Sequence, residues 1–422
     1  MAYGNINFLQ GSKFKIHNVV MAVLLVWVFV IGGSFFYYSS SASELQTTSV
    51  VTTDSMADSK EDTTSAVEGP NSLHGLEAKP EFDLARKIAY ISRHDGTTAD
   101  FKYMVKNLQL EKVDFYNSNS WYDFAESKAK YTTLIEKGER DRLCSEYDAI
   151  FVSDSLADGW PLLMGDHKCK NVYFVVTNRF DVGVHHGERN DFYEDVKRAL
   201  NRKDGYDLKL VVNNLFEIPY MESKGVIVPN KDKIPIIRPF GTTSVPVNED
   251  EADEEPCLIF GNKDQDKILM HQLVKDNTGF ECKTMAGFYG GPKSLSKFNS
   301  FVVHLPYQVS IMKMWENLNY GTLMAIPSPQ FFTNICNENK CGQTQNVFET
   351  KKVFDDSTWH EYVDFYLPGW EKCFLQFDNW DHLKEIIEKR TFIKNINICR
   401  DKMLDMRDEK LNQWKELLMN LQ

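Results

Sequence analysis

The chain has 422 residues, enough for roughly two to three domains of ~100–200 residues each, and 42% of them are apolar and 13% aromatic. A net charge of −12 excludes a broad nucleic-acid-binding surface, because phosphate neutralisation needs clustered Lys and Arg; anionic ligands held locally stay open. The composition supports packed cores over most of the length and excludes a polytopic membrane protein.

Val19 to Tyr38 is an unbroken run of 20 uncharged, mostly apolar residues. At ~1.5 Å per residue it spans a hydrocarbon core of ~30 Å, so a transmembrane helix is expected over 18–38. A cleaved signal peptide, with Ser41, Ala42 and Ser43 as small residues for cleavage, fits less well, since its apolar region is normally ~7–15 residues. Lys13 and Lys15 precede the run and Glu44, Asp54 and Asp58 follow it, so residues 1–17 read as a cytoplasmic tail and the rest as lumenal. Residues 39–82, rich in Ser, Thr, Asp and Glu with no periodic apolar pattern, read as a disordered stem.

If that topology holds, the eight Cys lie in an oxidising compartment where an even number invites disulfides. Cys336 and Cys341, flanking the turn Asn337–Lys340, are the first pairing to expect; Cys144 with Cys169 and Cys373 with Cys399 are weaker ones. No CxxC spacing occurs, so structural zinc is not expected.

From Arg86 onward, short apolar runs alternate with amphipathic stretches. Strands are expected at 87–92, 112–117, 147–154, 171–178, 208–214 and 225–229, and helices around 98–108, 121–137, 188–201 and 215–223. Such alternation points to a parallel sheet covered on both faces. This first Rossmann-like domain, 83–248, closes at 234–243 and gives way to an acidic connector at 248–255. A second set then begins over 249–422, with a strand at 256–261, a helix at 266–276 and a strand at 281–287. The stretch from Tyr289 to Pro329 follows as turn, short helix, strand, helix, Gly and strand. Residues 381–422 form a long amphipathic helical region with Ile386, Ile387, Met403, Leu411, Trp414, Leu418 and Leu421 on its apolar stripe. The fold class expected is α/β, with two Rossmann-like domains enclosing a cleft.

Ile311, Met314, Trp315 and Leu318 fall at i, i+3, i+4 and i+7 and make the buried face of a helix. Ser310 is a plausible N-cap whose helix would favour an anion such as a diphosphate. Glu316, five residues before Gly321, can reach the cleft edge and accept hydrogen bonds from a ribose diol. After the strand at 171–178, Asn178, Arg179, Asp181, His185 and His186 are expected to project towards the cleft. There Arg179 would bind phosphate or acceptor, and Asp181 or a His would act as base.

A strand, a polar loop, a helix with Glu316 five residues before Gly321, and an apolar strand together resemble the donor-binding segment of GT-B glycosyltransferases, especially the retaining sugar-nucleotide type. That family places two carboxylates eight positions apart; Glu316 matches the second, which binds the nucleotide ribose, and Gln308 stands at the first. The resemblance implies further that Lys267, six residues after Gly261, holds the donor diphosphate, with Lys263 beside Asn262 supplying the second cation. Gly96 would lie in the loop near the transferred sugar, and the turn Tyr289–Pro292 near the nucleotide base. Asp264 and Asp266 form a DxD sequence, read here as a helix start and not as a metal site.

The resemblance thus implies a glycosyltransferase anchored in the Golgi or ER membrane, taking a nucleotide sugar and a glycan, protein or lipid acceptor, with no metal or other cofactor required. Two alternatives stay open: an inverting, fucosyltransferase-like or exostosin-like enzyme with a first-domain base, and a non-catalytic carbohydrate-binding or scaffold protein.

Overall fold

The computed structural model describes residues 86–117, 128–242, 256–259, 264–284, 295, 300–339, 341, 353–354 and 357–421, with the side chains of 264–268 outside the description. Strands β1 (Lys87–Ser92), β2 (Lys112–Tyr116), β3 (Ala149–Ser153), β4 (Val172–Val176) and β5 (Leu208–Val212) make one sheet in the order β2-β1-β3-β4-β5. Strands β6 (Leu258–Ile259), β7 (Lys283–Thr284), β8 (Val302–Val303), β9 (Met324–Pro327) and β10 (Phe374–Phe377) make another in the order β7-β6-β8-β9-β10. Every pairing is parallel. Both sheets therefore follow one doubly wound order, first outwards and then back, with the reversal between the first and third strands of each.

The sequence accounts for this directly. Ala149–Ser153 and Val172–Val176 are buried at every position, as central strands covered on both faces must be. The first half carries helices α1 (Asp95–Asn107), α2 (Lys128–Glu136), α3 (Glu139–Glu146), α4 (Arg189–Leu200) and α5 (Glu217–Ser223). The second carries α6 (Asp264–Thr278), α7 (Met312–Asn319), α8 (Pro329–Asn339), α9 (Trp380–Lys389) and α10 (Ile396–Met419).

The expected strand at 225–229 does not form. Gly225 turns at φ 79°, and Val226 and Val228 reach the core from irregular chain, so their apolarity reflects burial without pairing. The edge of β5 is met instead by Ile236, which bridges Val212 in parallel. Helices α3 and α8 and strand β10 lie where no element was expected, and Cys336 sits within α8.

All eight cysteines are paired, as Cys144–Cys169, Cys257–Cys282, Cys336–Cys341 and Cys373–Cys399. Cys257–Cys282, which the sequence did not suggest, joins the residues immediately before β6 and β7. The expected anchor, the stem, the acidic connector and the turn Tyr289–Pro292 lie outside the described residues. Among the described residues no helix is long and apolar enough to cross a membrane.

The chain passes from one half to the other at Phe240 and Gly241, and side chains from three helices fix that crossing. Asp100 of α1 accepts the Phe240 N–H at 2.8 Å, and Arg407 of α10 donates to the Phe240 carbonyl at 2.7 Å and to that of Gly241. Asn319 of α7 also donates to the Gly241 carbonyl. Gly241 has φ 60°, and a Cβ there would stand 2.6 Å from the Trp315 carbonyl oxygen, so only glycine fits. Nearby, Arg238 pairs with the buried Asp364 at 3.0 Å. Helix α10 then returns to the first sheet, where the Trp414 ring meets Phe101 at 5.5 Å and Phe151 at 5.8 Å, with Leu418 and Leu421 in the same core.

Candidate functional site

Polar residues that end the first sheet's strands face the loop after β8 and the start of α7 across a cavity of about 440 Å³. His94 follows β1, Asp154 follows β3, Thr177 and Asn178 follow β4, and Asn213 follows β5; Tyr307, Gln308, Ser310, Met312, Lys313 and Glu316 form the opposite wall. The turning point of the first sheet, between β1 and β3, opens on this space, which is where doubly wound sheets hold ligands, and the second half meets it with the residues that follow β8.

The β1 loop is held from several sides. Arg93 bonds Asp158 through Nε at 2.6 Å, Ser92 and Thr97 share a hydroxyl bond of 2.7 Å, and the Tyr90 hydroxyl donates to the Thr97 carbonyl at 3.1 Å. His94 caps α1: its Nδ1 accepts from the N–H of Gly96 at 3.0 Å and of Thr97 at 3.3 Å. Nδ1 is thus unprotonated in this arrangement, and the first amides of α1 are taken up by the imidazole. Gly96 permits it, since a Cβ there would stand 2.7 Å from His94 Cε1. The same Cβ would lie 3.7 Å from Met312 Cγ, so α7 approaches this loop closely.

Asp154 sits in the left-handed region at φ 65°, a conformation that costs a non-glycine residue about 1–2 kcal/mol and that recurs where function fixes a side chain. Its N–H reaches Thr177 Oγ1 at 3.2 Å. Burial pushes its carboxyl above the usual range, with His94 and Arg93 opposing the rise. Burial likewise raises Glu316, opposed by Lys313 and His94. His94 is therefore electrostatically coupled to a carboxyl on each wall.

Sequence and structure part company at several of the expected residues. Gln308, Ser310 and Glu316 line the cavity as expected, and Gly96 adjoins it. Ser310 is not the N-cap of α7: Ile311 takes that position, with no side-chain hydrogen bond to the helix start, and the Ser310 hydroxyl turns to Met314 Sδ at 3.9 Å and to the Asp364 carboxyl. The first N–H groups of α7 consequently have no side-chain cap, and Ile311, Met312 and Lys313 at that end line the cavity.

Arg179 and Asp181 do not project into the cavity. Arg179 is buried in an ion pair with Glu217 and stacks on Phe216 at 4.6 Å. Asp181 accepts hydroxyl bonds from Tyr193 at 2.6 Å and Tyr220 at 3.1 Å. Past the end of β4 the chain no longer alternates strictly: Thr177 and Asn178 both face the cavity, and Arg179 is the first to turn away. A buried chain connects the two sides, because Glu217 accepts from Asn214 Nδ2 at 3.1 Å and Asn214 donates to Asn213 Oδ1 at 2.6 Å. His185 and His186 are exposed at a short 3₁₀ turn. Lys263 and Asn262 lie outside the described residues, as do the side chains of Asp264, Asp266 and Lys267 at the start of α6.

His94, Asp154, Asn213 and Lys313 were missed by sequence reasoning. The signal that finds three of them is simple: each is among the first polar residues after a buried strand of the first sheet.

No protein-family model matches the chain, and no curated protein matches it. Solved structures similar to it include a glycotransferase of kitacinnamycin, at 10% identity and a TM-score of 0.38, covering 79% of this chain and 98% of that one. They also include the glycosyltransferase SnogD from Streptomyces nogalater, at 8% identity and a TM-score of 0.39, covering 79% of this chain and 99% of that one. At these scores neither a shared fold nor a shared activity follows.

Proposed function

We propose that the chain is a glycosyltransferase that takes a nucleotide sugar in the cavity between its two sheets and passes the sugar to an acceptor hydroxyl. The observation that carries this reading is the cavity itself, at the turning point of the first sheet, with the carboxyls of Asp154 and Glu316 on opposite walls and Lys313 on the second-half wall. Glu316 would accept hydrogen bonds from the ribose, while the uncapped start of α7 and Lys313 would hold the diphosphate. Gln308 would face the transferred sugar. No metal is called on, since a helix N-terminus and Lys313 supply the charge that balances the leaving diphosphate.

Asp154 favours direct displacement. It stands on the first-half wall, is half-buried, and would take the acceptor hydroxyl proton as the new bond to the anomeric carbon forms and the bond to the diphosphate breaks. That is an inverting reaction, which departs from the retaining type that the loop resembles.

The protein would be a single-pass type II protein of the Golgi or ER membrane. The 20-residue apolar run and the four disulfides support that placement, since disulfides persist in oxidising compartments. Protection of everything after Tyr38 from protease in sealed vesicles is expected; digestion there would reverse the topology.

For the site, titration calorimetry of the full chain with a panel of UDP-, GDP- and CMP-sugars, with and without Mn²⁺, should give binding in one nucleotide class. Glu316→Ala and Lys313→Ala should each weaken it about tenfold or more, in line with the ~1.5–3 kcal/mol of a charge-assisted hydrogen bond, with Tm unchanged. Unaltered affinity in both would remove these residues from the site.

A further inference from the structure

A groove of about 880 Å³ lies at the opposite end of the first sheet, away from the carboxyl ends that form the proposed active site. Its floor is the outer edge of β5. Val212 spends its N–H and C=O outwards, on Pro235 at 3.1 Å and Ile237 at 2.8 Å, whereas Asn213 turns its N–H inwards to Val176 at 3.1 Å. Backbone groups of a strand alternate sides, so those of Leu208 and Leu210 also point outwards. Among the described residues no backbone group pairs with them: the pairing segment ends at Pro235, and residues 229–234 bend away to form a rim. Buried or half-covered backbone groups left in this way are costly, and an unpaired edge is a template for another strand.

The walls differ in character. On the α4 side Leu200, Ile234 and Pro235 offer apolar surface; on the α10 side Lys209, Gln413, Glu416 and Asn420 surround Leu417. We infer that this groove docks an extended polypeptide segment, whose backbone pairs with Leu208 and Leu210 and continues the pairing that Pro235 and Ile237 begin at Val212. The repeat fits only a peptide backbone, since outward groups recur every two residues, about 6.6 Å apart. The unlike walls fit a segment of alternating apolar and polar side chains, the apolar ones facing Leu200 and Ile234. Charges on the rim, Lys203 and Lys233 against Asp207 and Asp232, roughly cancel, so no strong net charge is called for in the partner.

The test is selection of a phage-displayed random dodecapeptide library on the full chain, followed by measurement of the selected peptides on Leu210→Pro. The Leu210 N–H does not serve the β4–β5 ladder, so proline there removes the docking donor and leaves the internal pairing intact; an unchanged far-ultraviolet CD spectrum verifies this. Alternating apolar and polar peptides are expected, with affinity lost at least tenfold on Leu210→Pro and amide exchange at Leu210 slowed when they bind. A second variant, Leu417→Glu, changes the wall without touching the backbone and should also weaken them. Peptides that bind Leu210→Pro and wild type equally would overturn the inference. So would concentration-dependent dimerisation abolished by Leu210→Pro with no peptide selected, because the occupant would then be a second copy of this chain.

Discussion

At the scale of single residues, the site depends on how neighbours are turned. Asn178 and Arg179 are adjacent, yet one faces the cavity and the other is buried against Glu217. The sequence shows that a strand ends there but not which side chain turns inwards, and so it favoured the two charged residues over the amide. Gly96 makes a sharper case, because its missing Cβ is the space that the His94 ring occupies. Gly96→Ala should push the imidazole off its helix, costing about 1 kcal/mol of cap energy and lowering Tm by a few degrees. An unchanged Tm would mean that His94 is free to cap in another rotamer.

Two titratable residues, the buried His167 and the half-buried Asp100, give opposite pH dependences. Burial holds His167 near 4, with Arg202, Arg140 and Arg198 adding to the fall. Unfolded His takes up a proton below about 6.5 while the folded one does not, so stability is lost as pH falls from 6.5 towards 4. Asp100 goes the other way. Burial raises it to about 8, the Phe240 N–H opposes the rise and Glu316 adds to it. It keeps its proton when folded and loses it near 3.9 when unfolded, so its contribution declines as pH rises from about 4 through 8. Between 6.5 and 8 only the Asp100 effect of the two acts. Thermal melts across that window should therefore decline in wild type and be flatter in Asp100→Asn, while His167→Gln should flatten the melts between 4 and 6.5. A slope unaffected by either substitution would assign the pH dependence to other groups.

At the scale of elements, pattern was most informative where an element is buried on a fixed period. The stripe Ile311, Met314, Trp315 and Leu318 is buried, and the five strands of the first sheet fall within the expected runs. The run 225–229 is just as apolar, but β5 is met by Ile236 instead; composition alone cannot tell which of two apolar segments takes one edge. Helix α10 illustrates the same limit. Its stripe was legible, but not that its last turns pack on the first sheet. Its Arg407 supplies donors to the Phe240 and Gly241 carbonyls at the crossing between halves. Arg407→Ala takes the side-chain donor from the Phe240 carbonyl and leaves that of Gly241 with Asn319 alone, at about 1–3 kcal/mol for a buried group, and Gly241→Ala adds a strained φ and a clash with Trp315. Both variants should shift the urea midpoint downwards at unchanged m. A midpoint equal to wild type would show that the crossing is not fixed by these contacts.

At the scale of the whole molecule, two sheets of one order bring two sets of strand ends together. That architecture was legible because alternating buried strands and amphipathic helices have few solutions. The wall contributed by the second half was half legible, through Gln308, Ser310 and Glu316. The first-half wall was not, because His94, Asp154 and Asn213 lie far apart in sequence and meet only through the parallel order of the sheet. The proposed activity stands on that meeting, and the most direct measurement is sugar transfer or donor hydrolysis by the full chain, wild type beside Asp154→Asn, over the nucleotide-sugar panel. The account predicts turnover with one nucleotide class in wild type. Asp154→Asn should keep donor affinity and lose roughly 10²–10⁴ in rate, the usual contribution of a positioned base. No turnover and no donor binding across the panel, with or without Mn²⁺, would contradict it.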